Sequence, residues 1–252
     1  MIEVKNIKKS FQGREVLKGI DAVFMPGQTN LIIGQSGSGK TVMLKSIVGI
    51  HEVDSGSILF DGKEVSSMKF KERQKLRQEI GMVFQAGALF DSMTVADNIR
   101  FPMDMFTNMT KKEKEMRVDR CIDMVELENA HNLFPSEISG GMQKRVAIAR
   151  AISLEPKYLF CDEPNSGLDP VTSIVIDKLI QRITRDLKIT TVINTHDMNS
   201  VMEIGEKILF LYQGEKGWEG SSDEILHVDN EDLNRFVFAS NILKKVRAIE
   251  TK

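Results

Sequence analysis

The residues best suited to chemistry are eight in a row, Gly34 to Thr41, reading GQSGSGKT. They match the pattern G-x-x-x-x-G-K-[ST] without a break. Gly34, Gly37 and Gly39 let the backbone curl, so that successive N–H groups, those of Ser36 and Ser38 among them, point at phosphate oxygens. Lys40 is spaced to reach a β/γ phosphate pair, and Thr41 to ligate Mg2+. An apolar run, Leu31-Ile32-Ile33, precedes the loop. A helix from about Lys40 to Ile50, with Val42 in its first turn, follows and adds its positive N-terminal end. The chemistry this fits is binding of ATP with Mg2+, followed by hydrolysis.

A second group lies in KYLFCDEP, residues 157–164. An apolar strand delivers Asp162 and Glu163 to its C-terminal end, where ligands sit in open α/β sheets. One carboxylate can hold the hydration shell of Mg2+ while the next polarises an attacking water. Alone, such a run is equally a surface turn after a core strand; beside a phosphate loop the catalytic reading prevails. A third group is EISGGMQKRVAIARA, Glu137 to Ala151. Ser139 can cap a helix there while Gly140 and Gly141 leave its first N–H groups bare, making a second anion site. A capped helix without ligand is the plain alternative for an isolated Ser-Gly-Gly. With one complete phosphate site already present, a second on a separate helical stretch points to nucleotide held between two copies.

These groups need a scaffold of alternating strands and helices. Alternation in Ile2–Phe11 and Val16–Phe24 predicts two strands joined at Gln12-Gly13-Arg14. Strand, glycine loop and helix at 31–50 form half of a parallel βαβ unit. A strand at Ser57–Phe60 with an Asp61-Gly62 turn follows, then one at Ile80–Phe84. From about Ala86 to Leu154 the pattern turns helical: Val118, Ile122 and Val125 recur at helical spacing, and Pro135 with the Ser-Gly-Gly separates them from a helix at Met142–Ser153. Strands at Lys157–Cys161, Thr190–Asn194 and Lys207–Tyr212 then alternate with helices. The tail from about Ser222 to Lys252 reads as an amphipathic helical cap, with Ile225, Leu233, Phe236 and Val237 as packing contacts. The expected organisation is a single α/β domain over residues 1–252, with a helical subdomain at about 86–154.

Composition excludes several classes. The chain has 252 residues, 41% hydrophobic and 28% charged, which suits a globular protein with a substantial core. A net charge of −2 argues against a nucleic-acid partner. Cys121 and Cys161 stand in no metal-ligand spacing and are expected to be reduced thiols of an intracellular protein. The start, MIEVKNIKKSF, has no continuous apolar core, so no secretory signal is expected. No run approaches the roughly 18 apolar residues of a membrane helix. The expected place is the cytoplasm, with any membrane spans supplied by another chain.

The order GQSGSGKT, Gln85 after a strand, ISGGM, CDEP, SGLD (166–169) and NTHD (194–197) resembles that of ATP-binding-cassette ATPases over roughly residues 1–220. The resemblance implies a P-loop NTPase cassette: a parallel core sheet, an antiparallel β edge and a helical signature subdomain. It implies that Phe11 stacks on adenine with Val16 beside it. Gln85 would link Mg2+ and the attacking water to the helical subdomain. Ser139, Gly140 and Gly141 would meet the γ-phosphate held by the opposite subunit, and Asp169 would lie at the dimer seam. His196 would contact the γ-phosphate, Glu163 would be the catalytic base and Asp162 a Mg2+ partner. By residue type alone, Phe11 could be a core side chain and His196 an exposed turn residue.

Within that family, QAGALFDSMTVADNI (85–99) and SGGM followed by basic residues resemble the Mla-type phospholipid-transport ATPases, which serve MCE-domain systems. This implies a homodimer around two ATP–Mg2+, peripheral on the cytoplasmic membrane, driving a separate permease together with an MCE-domain lipid-binding protein. Leu89, Phe90 and Met93 would face the permease or simply pack the subdomain. A cassette for another cargo (lipoprotein, metal or amino acid) and a regulatory ATPase without transport are the alternatives. Met142 stands where the family has Gln or Glu, and Asn165 where it has a small residue or Thr.

Overall fold

A computed structural model describes residues 1–238 of the chain. In chain order the strands and helices are β1 (Ile2–Phe11), β2 (Arg14–Phe24), β3 (Thr29–Ile33), α1 (Lys40–Ile47), β4 (Ser55–Phe60), β5 (Lys63–Glu64), α2 (Phe70–Gln78), β6 (Ile80–Val83), α3 (Val95–Phe106), α4 (Lys111–Met124), α5 (Gly140–Ile152), β7 (Tyr158–Asp162), α6 (Pro170–Leu187), β8 (Thr190–Thr195), α7 (Met198–Ile204), β9 (Lys207–Tyr212), β10 (Glu215–Gly220), α8 (Ser222–Ile225) and α9 (Glu231–Val237). They fall into two compact units. One holds Met1–Met25, Thr29–Ser67 and the described residues from Asn194 onward; the other holds Pro26–Gln28 and Met68–Ile193.

In the first unit β1 pairs antiparallel with β2, from Ile2↔Phe24 to Phe11↔Arg14, and on its other side with β4, which pairs with β5. The connection between β1 and β2 is two residues long, not three. Gln12 (φ 50°) and Gly13 (φ 80°) both take positive φ, the mirror-image turn whose twist suits a hairpin, so β2 starts at Arg14 rather than Val16. Strand β3 is buried along its whole length and runs parallel to β9, as a strand covered on both faces should. Strand β10 returns antiparallel along β9. Helix α1 ends at Ile47 instead of Ile50, because Gly49 (φ 77°) takes the left-handed conformation that stops a helix. Near the end of the described chain Ile225, Leu233 and Val237 are buried, and Phe236 meets Phe210 at 5.6 Å between ring centroids. The rest of the expected helical tail lies outside the described residues.

In the second unit β6 runs parallel to β7, from Ile80↔Tyr158 to Val83↔Cys161, and β7 neighbours β8. Every residue of β7 and β8 is buried. Helix α3 begins where Thr94 accepts a bond from the Asp97 N–H while the Asp97 carboxylate accepts from the Thr94 hydroxyl at 2.7 Å, a reciprocal cap. Val118, Cys121 and Ile122 form the buried stripe of α4. Helix α5 starts at Gly140, two residues before the expected start, since the Ser139 cap brings both glycines into the first turn. Its buried residues are Lys144, Val146, Ala147, Ile148, Ala149 and Ile152, so the helix is covered on most sides. Among the described residues no helix is long and apolar enough to cross a membrane.

Candidate nucleotide site

In the first unit the chain leaves β3 at Ile33 and enters the phosphate loop. Gly34 sits at φ 148°, and a side chain there would run into the Leu211 carbonyl and, at 2.7 Å, the Ser38 hydroxyl. Gly39, the residue before α1, has φ 106° and would press a Cβ on Leu17 at 3.0 Å and on the Val16 carbonyl at 3.2 Å. Only glycine fits these two places, and Val16 is thereby fixed beside the loop. The Lys40 ammonium is folded inward, donating to the Gly34 carbonyl at 2.8 Å and the Gln35 carbonyl at 3.1 Å. Thr41 and Val42 are half-buried in the first turn of α1. Among the described residues the buried Ser38 hydroxyl finds no hydrogen-bond partner. An orphaned hydroxyl inside a curl of backbone N–H groups fits a phosphate oxygen as its missing partner.

Phe11 is 40% exposed, so it is a surface ring and not core. Its edge meets His51 at 5.2 Å, and Lys9 lies over it at 5.3 Å. His196 follows β8 on an exposed loop, and Asp197 caps α7 by accepting from the Asn199 N–H at 2.9 Å.

In the second unit Asp162 ends β7 with 7% exposure, and Glu163 follows it at φ 47°. A non-glycine residue in that region is uncommon and is often found where function fixes the backbone. The Gln85 amide reaches Glu163, donating to Oε2 at 3.1 Å, and also Ser166 Oγ at 3.3 Å. Sequence order alone could not join these two residues, 78 positions apart. The oxygen donors proposed for the metal (a threonine hydroxyl, a glutamine carbonyl and an aspartate carboxylate) are the hard ligands Mg2+ takes.

A second cluster surrounds the signature segment. Ser139 Oγ accepts from the Met142 N–H at 3.3 Å, and Ser139 and Gly140 are exposed. A Cβ on Gly141 would meet the Thr172 methyl at 2.8 Å, so this glycine lets α5 approach the start of α6. Asp169 caps α6, accepting from the N–H groups of Val171 and Thr172, each at 3.0 Å, and from the Thr172 hydroxyl at 2.5 Å. That hydroxyl chiefly, with the two N–H groups, holds the Asp169 carboxyl below its ordinary value.

Four further residues, to which their place in the sequence assigns no role, tie these segments together. Asn165 donates its amide to both oxygens of buried Asp177, at 3.2 and 3.4 Å, and so ties the segment after Glu163 to α6. Lys144, 8% exposed, bonds the Gln85 carbonyl. Burial lowers its pKa, and the Glu163 charge opposes that shift. Arg150 donates to the Gly87 carbonyl at 2.7 Å and the Ala88 carbonyl at 2.8 Å. Asn98, fully buried, accepts from the Phe90 N–H at 2.8 Å and donates to the carbonyls of Phe90, Met93 and Thr94.

Residues 17–166 match the family model described as ABC transporter. The chain belongs to the ABC transporter family. It is an ATP-binding cassette with the P-loop NTPase fold, an ATPase whose cofactors are ATP and Mg2+. Among curated proteins the cassette is 41% identical over 211 residues to a methionine import ATP-binding protein MetN of Clostridium tetani, covering 84% of this chain and 66% of that protein. It is 37% identical over 238 residues to a probable ribonucleotide transport ATP-binding protein mkl of Mycobacterium leprae, covering 94% and 68%. The chain thus spans about two thirds of the length of these relatives. Among solved structures, the post-hydrolysis dimer of the ATP-binding cassette MJ0796 bound to ADP and Pi is similar with a TM-score of 0.79 at 32% identity, over 88% of this chain and 99% of that one. The structure of cbiO1 from Clostridium perfringens, part of the ABC transporter complex cbiONQ, gives 0.84 at 29% identity, over 100% and 98%.

Proposed function

We propose that this cassette is the ATP-hydrolysing subunit of a transporter. Two copies close around two ATP–Mg2+, and the cycle of closing and opening drives a separate permease in the cytoplasmic membrane. The observation that carries this reading is the pairing of the Gln85 amide with Glu163 on the residue after an apolar strand. Glu163 accepts the proton of the attacking water, and Gln85 orients the carboxylate that does so. Lys40 and the loop N–H groups at Gly34–Thr41 hold the phosphates, with Phe11 and Val16 at the base and His196 at the γ-phosphate. Bound through Thr41, Gln85 and Asp162, Mg2+ would neutralise charge developing on the phosphate oxygens. Ser139, Gly140 and Gly141 engage the nucleotide of the opposite copy, and Asp169 stands at the seam between copies.

The permease docks in a groove of about 660 Å³ in the second unit, lined by Phe84, Phe90, Phe101 and Phe106 together with Arg77 and Arg150. Apolar walls with two cations suit a short amphipathic helix carrying a carboxylate. For the cargo, the segment QAGALFDSMTVADNI supports phospholipid, with an MCE-domain protein as a further partner. Methionine is the second reading, favoured by relatives bearing that name at up to 41% identity. Purification of the chain with its permease in mild detergent separates them. Bound phospholipid and an MCE-domain subunit support the first; a solute-binding protein whose ligand is methionine supports the second and retires the first.

A further inference from the structure

We propose that Lys144 and Arg150 are positioning residues: from α5 they hold the loop Gln85–Ala88 by its backbone carbonyls and thereby keep the Gln85 amide on Glu163. The inference rests on the roles given above to Gln85 and Glu163 and extends them to two side chains outside the nucleotide-binding set proposed there. Three carbonyls of this loop, those of Gln85, Gly87 and Ala88, accept bonds from the two cations. Between them on α5, Ala147 faces Gly87, whose missing Cβ would lie 3.8 Å from the alanine methyl. Residues 144, 147 and 150 recur every three positions and share one side of the helix. The loop therefore lies along α5, pinned at both ends by charge and kept close in the middle by small side chains.

The backbone of this loop does not hold that shape by regular structure. Gly87 at φ 73° and Ala88 at φ 49° both take left-handed conformations, and β6 has ended at Val83. A turn bond joins the Gly87 N–H to the Phe84 carbonyl at 2.8 Å. A lysine with 8% exposure has given up most of its hydration, and bonding a carbonyl satisfies part of that loss. Arg150 also lies 5.9 Å from the Phe90 ring at the groove, so the same clamp joins the groove wall to the loop that carries Gln85.

A double-mutant cycle on the full chain tests this, using Lys144→Met, Gln85→Ala and the pair, with single-turnover ATP hydrolysis and fluorescent-nucleotide binding. Gln85→Ala keeps the carbonyl that Lys144 holds but removes the amide it positions. Expected is a loss of about tenfold or more in hydrolysis for Lys144→Met, since small misplacement of a reacting group is costly in rate. Nucleotide affinity should stay within about threefold, and in the Gln85→Ala background the loss should shrink to about twofold or less. Equal losses in both backgrounds overturn the linkage and leave the Gln85 assignment standing. Unchanged hydrolysis in Gln85→Ala alone overturns that assignment and the linkage with it. Lys144→Gln keeps a donor without the charge and tests the bond itself, including where Lys144→Met does not fold. It should retain at least about a third of the rate, and a loss as large as that of Gln85→Ala contradicts the proposal.

Discussion

Replacing Asn98 by alanine should loosen the segment that walls the proposed docking groove while sparing the phosphate loop. The Asn98 side chain accepts from the Phe90 N–H and shares its two amide hydrogens among the carbonyls of Phe90, Met93 and Thr94, at 2.8 to 3.1 Å, and is fully buried. One accepted bond and two amide hydrogens amount to three hydrogen bonds at about 1 kcal/mol net each, so the loss should be about 3 kcal/mol. In a chain of this size 1 kcal/mol moves the melting temperature by about 2–4 °C, which gives a drop of about 6–12 °C. Thermal unfolding by circular dichroism measures this, with ATP-analogue affinity as the control, expected within about threefold of the parent. Asn98→Asp, which turns a carboxyl oxygen toward three carbonyls, should fall at least as far. A shift under about 2 °C in Asn98→Ala would refute the view that this amide holds the segment.

Two further outcomes follow from single side chains. Lys40→Met removes the ammonium that bonds the Gly34 and Gln35 carbonyls and that is assigned to the phosphates; hydrolysis should fall about 100-fold or more, measured by phosphate release. Burial raises the Cys121 thiol from 9.0 to about 11. The folded state therefore keeps a proton that the unfolded state has lost, and stability present below about pH 9 is lost as pH rises toward about 11. Urea midpoints at pH 8 and pH 10.5 should show this extra alkaline loss, and Cys121→Ala should lack it.

The phosphate loop was legible because its chemistry demands contiguous residues: a curl of glycines, a cation and a hydroxyl within eight positions. The core strands were legible for a similar reason, since Leu31–Ile33 and Tyr158–Cys161 are apolar on both faces and bounded by turn residues. What remained hidden acts across long separations. Lys144 looks like one of several solvated cations until its bond to Gln85 is seen, 59 positions away. Asn165 is an unexplained departure until Asp177 supplies its partner. Helix α2 buries none of its residues, so no apolar period announced it, and the half-exposed, glycine-bearing β10 is ordered by pairing with β9 rather than by its own propensity. The hairpin between β1 and β2 was placed correctly but two residues late, because the positive φ of Gln12 is no property of glutamine.

In the proposed function Glu163 is the base that activates water for attack on ATP. Glu163→Gln keeps the shape and the hydrogen-bonding reach toward Gln85 but removes the negative charge. Single-turnover hydrolysis should fall by about 100-fold or more, as loss of a general base does, with ATP affinity within about threefold and a dimer accumulating on ATP by light scattering. Hydrolysis at the parental rate, with no dimer held on ATP, would contradict it.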